Sequence, residues 1–203
     1  FEIDKHRVEI NGILYGNRPN AQVELWEVHI YCRADDCSRP ELFKELQAEL
    51  EVFTGDLSPF FNITILPTTT NIPTPPVDSM LSCYECACYN NPTCSCDTVQ
   101  IYNASESYCT IVRFNYENGD FTIDLEHIDR NTTRVYIRKF PYLLAEESIL
   151  YNETTTQWTT KTNVIVFGCN WDLCNHPSIV PLLPYSFQMT LNDEWLNNNV
   201  LDN

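Results

Sequence analysis

Apolar and polar residues alternate along several stretches of this chain at the period of a half-buried β-strand. Two such runs lie near the start, Arg7 to Leu14 and Ala21 to Tyr31, and Gly16-Asn17 supplies a turn between them. Phe60 to Leu66 predicts another strand. The pattern therefore predicts a small β unit in this part of the chain.

The stretch from Pro40 to Phe53 fits two different structures. Ser38 and Glu41 have the spacing of a helix capping box, and the apolar residues that follow recur at helical spacing. However, the residues from Ala48 to Val52 alternate as they would in a strand. Both interpretations stay open.

A strong hairpin signal lies further along the chain. Cys109 to Phe114 and Phe121 to Leu125 are strand-like, and they flank Asn118-Gly119, a dipeptide that favours a tight turn. With strands predicted along the chain and one ambiguous helix, the predicted fold class is all-β.

A Thr/Pro-rich segment, Leu66 to Ser79, divides the chain. It has four prolines and four threonines in 14 residues, so it supports neither a helix nor a central strand and favours an extended conformation. The expected organisation is an N-terminal β module (residues 1–65), a linker (66–79), a Cys-rich module (80–177) and a polar tail (178–203).

The charge balance narrows the classes of partner. Among 203 residues, 12 are Lys or Arg and 28 are Asp or Glu, which gives a formal net charge of −16. Nucleic acid and anionic lipid are not expected as partners, because both require clustered basic residues. The most apolar stretch, Ile179 to Met189, is broken by two prolines and is shorter than the ~20 residues of a spanning helix, so no membrane span is expected.

Cysteines and glycosylation sequons together indicate an oxidising compartment. The chain has 10 cysteines, and eight of them lie between Cys83 and Cys174. These features predict a secreted or cell-surface glycoprotein with a disulfide framework. Four Asn-x-Ser/Thr sequons are present, at Asn62, Asn103, Asn131 and Asn152.

Disulfides are favoured over a metal site. A metal–thiolate cluster suits a reducing compartment, which the sequons argue against, so no metal or cofactor is expected. Cys32 and Cys37 flank Arg-Ala-Asp-Asp and are expected to close a small loop. The zinc alternative rests on the ligand-like spacing of five cysteines, Cys83, Cys86, Cys88, Cys94 and Cys96.

The two ends of the Cys-rich module carry a motif pair. The module opens with Leu81-Ser-Cys-Tyr-Glu-Cys86 and closes with Cys169-Asn-Trp-Asp-Leu-Cys174-Asn175, and Ser107-Tyr-Cys-Thr-Ile111 lies between them. Across residues 81–177 this arrangement resembles the three-finger domain of the urokinase-receptor and protectin family. Such domains begin Leu-x-Cys-Tyr-x-Cys and end Cys-x-x-Asp-x-Cys-Asn, and most members are receptors or ligands.

The resemblance implies a disulfide pattern, although the cysteines alone permit many pairings. Two bridges follow by analogy, Cys83–Cys109 and Cys169–Cys174. The other four cysteines would pair within the first finger, as Cys86–Cys94 and Cys88–Cys96.

The resemblance also implies structural roles for other residues. Asn175 would use its side-chain amide to satisfy backbone groups near the bridges. Arg134 to Arg138 and Asn163 to Phe167 would form the third finger, with a long loop from Pro141 to Thr162 between them. Gly168 stands where the family usually has a further cysteine.

A shorter resemblance covers residues 8–27. A Gly-x-Leu strand, an Asn-x-Pro turn and a Val-x-Leu-Trp-Glu strand are similar to the first two strands of nematode transthyretin-like proteins. The N-terminal module is too short for the full sandwich of that family, so the resemblance implies only a small β unit.

Catalytic motifs are absent from the sequence. None of the four histidines belongs to a His-Glu-x-x-His helix, and there is no Gly-x-Ser-x-Gly elbow. Glu146-Glu147 would point to opposite faces of a strand, and Asp35-Asp36 fits a solvated loop better than a calcium site. No catalytic residue is therefore expected, and the chain is not predicted to be an enzyme.

Two non-enzymatic hypotheses remain. The favoured one is a structural glycoprotein whose copies assemble through strand edges or exchanged terminal strands. The alternative is a secreted or glycolipid-anchored receptor or ligand, with Asn203 as an acceptable attachment residue. In that alternative the tip around Asn115 to Asp120, or the loop from Pro141 to Thr162, would contact the partner.

Overall fold

The computed structural model describes residues 6–15, 23–32, 39–57, 60, 80–130 and 140–201, and the expected all-β class is confirmed. The strands are β1 (Arg7–Tyr15), β2 (Val23–Tyr31), β3 (Leu50–Thr54), β4 (Met80–Tyr84), β5 (Cys86–Tyr89), β6 (Val99–Asn103), β7 (Ser107–Asn115), β8 (Phe121–Asp129), β9 (Tyr142–Asn152), β10 (Gln157–Cys169) and β11 (Phe187–Leu191). The helical elements are α1 (Pro40–Glu49), a 3₁₀ segment (Pro177–Tyr185), α2 (Asp193–Leu196) and a π-helical turn (Asn197–Leu201).

One antiparallel sheet joins the N-terminal strands to the Cys-rich region. Its order is β2-β1-β9-β10-β7-β8-β5, and two smaller sheets pair β11 with β3 and β4 with β6. β1 pairs with β9 along its whole length, from Arg7 opposite Leu150 to Tyr15 opposite Tyr142. Strand pairing therefore crosses the expected boundary between the two modules, and the 66–79 linker lies outside the described residues.

The expected long loop from Pro141 to Thr162 is wrong. These residues form β9 and the first part of β10, which pair as an antiparallel hairpin. β9 is buried on both faces, so its residues do not alternate in polarity as those of a half-buried strand do. The stretch expected to form the other half of the third finger, Arg134 to Arg138, lies outside the described residues.

Both interpretations of the ambiguous stretch from Pro40 to Phe53 are partly right. α1 buries Leu42 and Leu46, and the backbone becomes extended at Leu50, where β3 begins. β3 is the partner of β11, with Leu50 opposite Leu191. The chain changes from helix to strand where it begins to pair with β11. The sequence near Leu50 does not show that β11, far along the chain, is the partner.

The expected polar tail is wrong as well. Residues of the 3₁₀ segment, β11 and α2 are fully or nearly fully buried, among them Val180, Phe187 and Trp195. β11 packs close to β1, where a Cβ atom on Gly12 would overlap the side chain of Met189. The short apolar stretch that cannot span a membrane therefore completes the core.

The predicted β7–β8 hairpin is confirmed. Asn115 lies opposite Phe121 at its end, and Gly119 adopts a φ of +88° in the turn. That left-handed conformation is accessible to glycine at no steric cost. The turn residues thus explain why this hairpin was the clearest local prediction.

Candidate functional site

Four disulfides are placed in the described part of the chain. Cys83–Cys109 and Cys169–Cys174, which the three-finger resemblance implies, are both present, with Cα–Cα distances of 5.4 and 6.1 Å. Cys32 is disulfide-bonded, whereas Cys37, its expected partner, lies outside the described residues.

The expected pairing of the other four cysteines is wrong. The bridges are Cys86–Cys96 and Cys88–Cys94, with Cα–Cα distances of 5.9 and 5.6 Å, instead of Cys86–Cys94 and Cys88–Cys96. The chain reverses direction after β5, so the cysteines nearest the turn face each other and the outer two form the next pair. A reversal of this kind favours nested bridges over crossed ones.

The sulfur atoms of this cluster lie close together without offering metal ligands. Those of Cys86, Cys88 and Cys94 lie within 4.8 Å of one another. Each of these cysteines is disulfide-bonded, and thiolate is the form that binds zinc. With these bridges formed, the three sulfurs cannot act as a thiolate site.

Asn175 connects β4 and β7 beside the bridges. It is fully buried, and its amide nitrogen donates to the carbonyl oxygens of Tyr84 and Thr110 at 2.9 and 3.1 Å. Its oxygen accepts a hydrogen bond from the backbone N–H of Tyr84 at 2.9 Å. The backbone-satisfying role implied by the resemblance is confirmed.

Gly168 explains one departure from the three-finger pattern. It lies opposite Tyr142 in the β9–β10 pairing, and a Cβ atom on Gly168 would overlap the Tyr142 ring. A cysteine at this position would need space that the buried ring of Tyr142 fills.

A cluster of titratable side chains joins β8 to the smaller β4–β6 sheet. His127 Nδ1 lies 2.7 Å from Glu85 Oε1, and the Tyr102 ring stacks on the His127 ring at a centroid distance of 3.6 Å. The Tyr102 hydroxyl also donates to Glu85. Partial burial opposes ionisation of Glu85, but the hydrogen bonds from Tyr102 and His127 outweigh it and lower its pKa.

This cluster supports a structural role more directly than a catalytic one. Burial, followed by the hydrogen bond to Glu85, raises the pKa of Tyr102, so its hydroxyl stays protonated and donates. The arrangement can hold two sheets together by hydrogen bonds to Glu85 and a ring stack. Sequence reasoning missed it because Glu85, Tyr102 and His127 are far apart in the chain and form no motif.

Apart from this cluster, a buried carboxylate lies close to β11. Glu147, on β9, is 1% exposed, and burial raises its pKa to about 7. Glu146, its neighbour, is only partly buried, as expected for adjacent residues of a strand that point to opposite faces.

Two of the four sequons lie in described residues, and both are exposed. The side-chain oxygen of Asn103 accepts hydrogen bonds from the backbone N–H and the hydroxyl of Ser105, at 3.0 and 2.8 Å. The oxygen of Asn152 accepts from the N–H of Thr154 at 2.9 Å. The remaining modification candidates, Asn62, Asn131 and Asn203, lie outside the described residues.

β2 and β6 are among the strands that have an outer side with which no other described strand pairs, and both carry exposed apolar residues. β2 is one end of the seven-stranded sheet, and β6 pairs only with β4. Unpaired strand edges present backbone donors and acceptors that another chain can use. The outer edges of β2 and β6 are therefore candidate interaction surfaces.

The described part of the chain contains no helix with the length and apolar character needed to cross a membrane. No family model matches the sequence, and neither a curated protein nor a solved structure matches it.

Proposed function

We propose that this chain is a non-enzymatic extracellular glycoprotein that acts through protein–protein contacts and associates with copies of itself through a strand edge. The disulfides support an oxidising compartment, and the exposed sequons at Asn103 and Asn152 support glycosylation. The absence of a catalytic motif from the sequence supports a binding role.

The observation that carries this proposal is the outer edge of β2. The strand is nine residues long and has the large sheet on one side only. Its inward residues, including Val23, Val28 and Ile30, pack against the core yet stay partly exposed. A strand added alongside β2 would extend the sheet and cover them.

Exposed aromatic side chains lie on the opposite face of the same strand. Trp26 and Tyr31 are 41% and 47% exposed. Glu24 and Glu27 restrict the possible registers, because a self-pairing that sets Glu27 opposite its own copy brings like charges together. The edge is therefore expected to pair in a limited set of registers.

Light scattering after size exclusion tests this proposal on chain expressed through a secretory pathway. We expect the mass to rise with protein concentration, and we expect a Trp26→Lys/Tyr31→Lys variant to shift the protein toward monomer. Tyr116→Lys is the matched control, since Tyr116 is 46% exposed in the β7–β8 turn, away from β2. A glycosylated monomer at every concentration would contradict self-association.

A second candidate function is a monomeric three-finger receptor or ligand, which the resemblance of residues 81–177 supports. The β7–β8 turn is exposed and preorganised: Asp120 accepts hydrogen bonds from Tyr89, Asn90 and Asn118, at 2.5, 2.7 and 2.7 Å. A preordered tip loses little entropy on binding. A monomer that loses a binding partner on Asp120→Ala, and keeps it on Trp26→Lys, would favour this candidate.

A further inference from the structure

The β4–β6 sheet has an exposed apolar face. Residues opposite each other in its antiparallel register point to the same side, so Ser82 with Ile101 and Met80 with Asn103 share this face. Met80 and Ile101 are 64% and 62% exposed, and Val99 on the same face is 43% exposed. The other face carries Leu81 and Cys83, both buried in the core.

The backbone of β6 is also open on its outer side. Glu85 N–H donates to the Thr98 carbonyl at 2.9 Å, and hydrogen-bonded positions alternate along an antiparallel pair. Val99 and Ile101 therefore direct their N–H and C=O groups away from β4. On the other side of β4, the Ser82 carbonyl is bonded by Leu173 N–H at 2.7 Å, so only the β6 side is open.

The sequon at Asn103 lies at the end of this edge. Asn103 is two residues beyond Ile101 on the same face, about 7 Å along the strand. Because its Oδ1 accepts both hydrogen bonds from Ser105, its Nδ2 is turned away from that turn. In the described part of the chain this nitrogen has no hydrogen-bond partner, so the atom that would carry a sugar is accessible.

We propose that an N-linked glycan on Asn103 covers the apolar face and open edge of β6 and prevents this edge from pairing with another chain. In its attachment, Nδ2 forms a bond to C1 of a lipid-linked oligosaccharide diphosphate, the C1–oxygen bond to the diphosphate breaks, and one amide proton passes to a base of the transferase. The sugar rings present apolar faces to Met80 and Ile101, and their hydroxyl groups face water.

Natural sheets protect their edges by charge, bulges or covering groups. β2 carries Glu24 and Glu27, which limit the registers in which it can pair with a copy of itself but do not close its edge. β6, Val-Gln-Ile-Tyr-Asn, has neither a charge nor a bulge, and a glycan is the protection that its sequence offers. This inference rests on the proposed self-association through β2, because a covered β6 cannot compete with β2 for pairing with another chain.

The test uses the full chain from a secretory host as wild type, Ser105→Ala and Asn152→Gln. Ser105→Ala removes the Asn103 sequon and keeps Asn103, and Asn152→Gln is the matched control because it removes the other described sequon. Intact mass reports glycan occupancy, and light scattering reports self-association. We expect Ser105→Ala to lose one glycan and to self-associate at least tenfold more tightly than wild type, while Asn152→Gln self-associates as wild type does.

Two further measurements separate shielding from misfolding. Adding Ile101→Lys to Ser105→Ala should restore the wild-type association, because it places a charge on the exposed edge. Trimming the glycans from folded wild type with an endoglycosidase should increase association without any substitution. A wild type unoccupied at Asn103, or a Ser105→Ala variant that associates like wild type, overturns the shielding role. A Trp26→Lys/Tyr31→Lys variant with unchanged mass instead overturns assembly through β2.

Discussion

Thr162 donates a hydrogen bond from its hydroxyl to the buried carboxylate of Glu147, 3.1 Å away in the β9–β10 pairing. The backbone N–H of Met189, on β11, also favours the ionised form of this carboxylate. Glu147 Oε2 has no hydrogen-bond partner within the described residues. Burial is the leading cause of its raised pKa, and the hydrogen bonds from Thr162 and Met189 only partly oppose it.

Stability is expected to depend on pH through Glu147. Its pKa rises from 4.5 to about 7 on folding, so the folded state binds the proton more tightly. The contribution of Glu147 to stability should therefore be greatest at and below pH 4.5 and be lost as pH rises to about 7. The loss, on the order of 3 kcal/mol, follows from the size of the shift, and denaturant unfolding at several pH values measures it.

Glu147→Gln should remove this part of the pH dependence, so that the variant exceeds wild type in stability at pH 8. Glu117→Gln is the control, because Glu117 is an exposed carboxylate in the β7–β8 turn. The stability of this variant should depend on pH as that of wild type does. If the free energies of unfolding of Glu147→Gln and wild type differ by the same amount at every pH, Glu147 is not the source of the pH dependence.

Replacing Asn175 by Leu should destabilise the fold by about 3 kcal/mol, because it leaves buried N–H and C=O groups of Tyr84 and Thr110 without partners. Thermal unfolding would report this as a lower melting temperature. Asn198→Ala, at an exposed position, should change the melting temperature little. Equal effects of the two substitutions would show that Asn175 does not connect the strands.

The contact between Glu85 and His127 should contribute more to stability than a comparable contact at the surface. His127→Ala loses both the hydrogen bond to Glu85 and the stacking on Tyr102, with an expected cost of about 1 to 2 kcal/mol. His29→Ala is the matched control, because His29 pairs with Glu27 at 3.0 Å in a more exposed setting. His29→Ala should lower the free energy of unfolding by less than about 0.5 kcal/mol. If denaturant unfolding shows equal losses for the two substitutions, the Glu85–Tyr102–His127 cluster does not stabilise the fold more than a surface pair does.

The nested bridges predict which pairs of cysteines can be removed together. A Cys88→Ser/Cys94→Ser variant should keep Cys86–Cys96 and show no free thiol after alkylation and mass measurement. A Cys88→Ser/Cys96→Ser variant should leave Cys86 and Cys94 without native partners. If this second variant instead forms one bridge cleanly and is as stable as the first, the crossed pairing is the correct one.

Local signals predicted the parts of the fold that depend on neighbouring residues. Asn118-Gly119 predicted the β7–β8 hairpin, and the alternation around Val8 and Val23 predicted β1 and β2. Cys83–Cys109 and Cys169–Cys174 came from a family resemblance, because spacing alone does not select a pairing.

Features that depend on distant residues could not be predicted in this way. β9 is buried on both faces, and its two adjacent glutamates interrupt any apolar pattern. The β3–β11 pairing and the contact of Glu85 with His127 join residues whose proximity no periodicity encodes. The open edge of β6 could be recognised only once its single partner, β4, was known.

The insertion of β1 between β2 and β9 has a consequence for synthesis. β1 leaves the ribosome long before β9 and β11, which complete its surroundings, because those strands lie far downstream in the chain. Pairings between such distant segments form slowly, because a long loop must close first. The β1–β2 hairpin therefore keeps an apolar face uncovered until β9 and β11 have been made, and we expect chaperones to increase the yield of correctly folded chain.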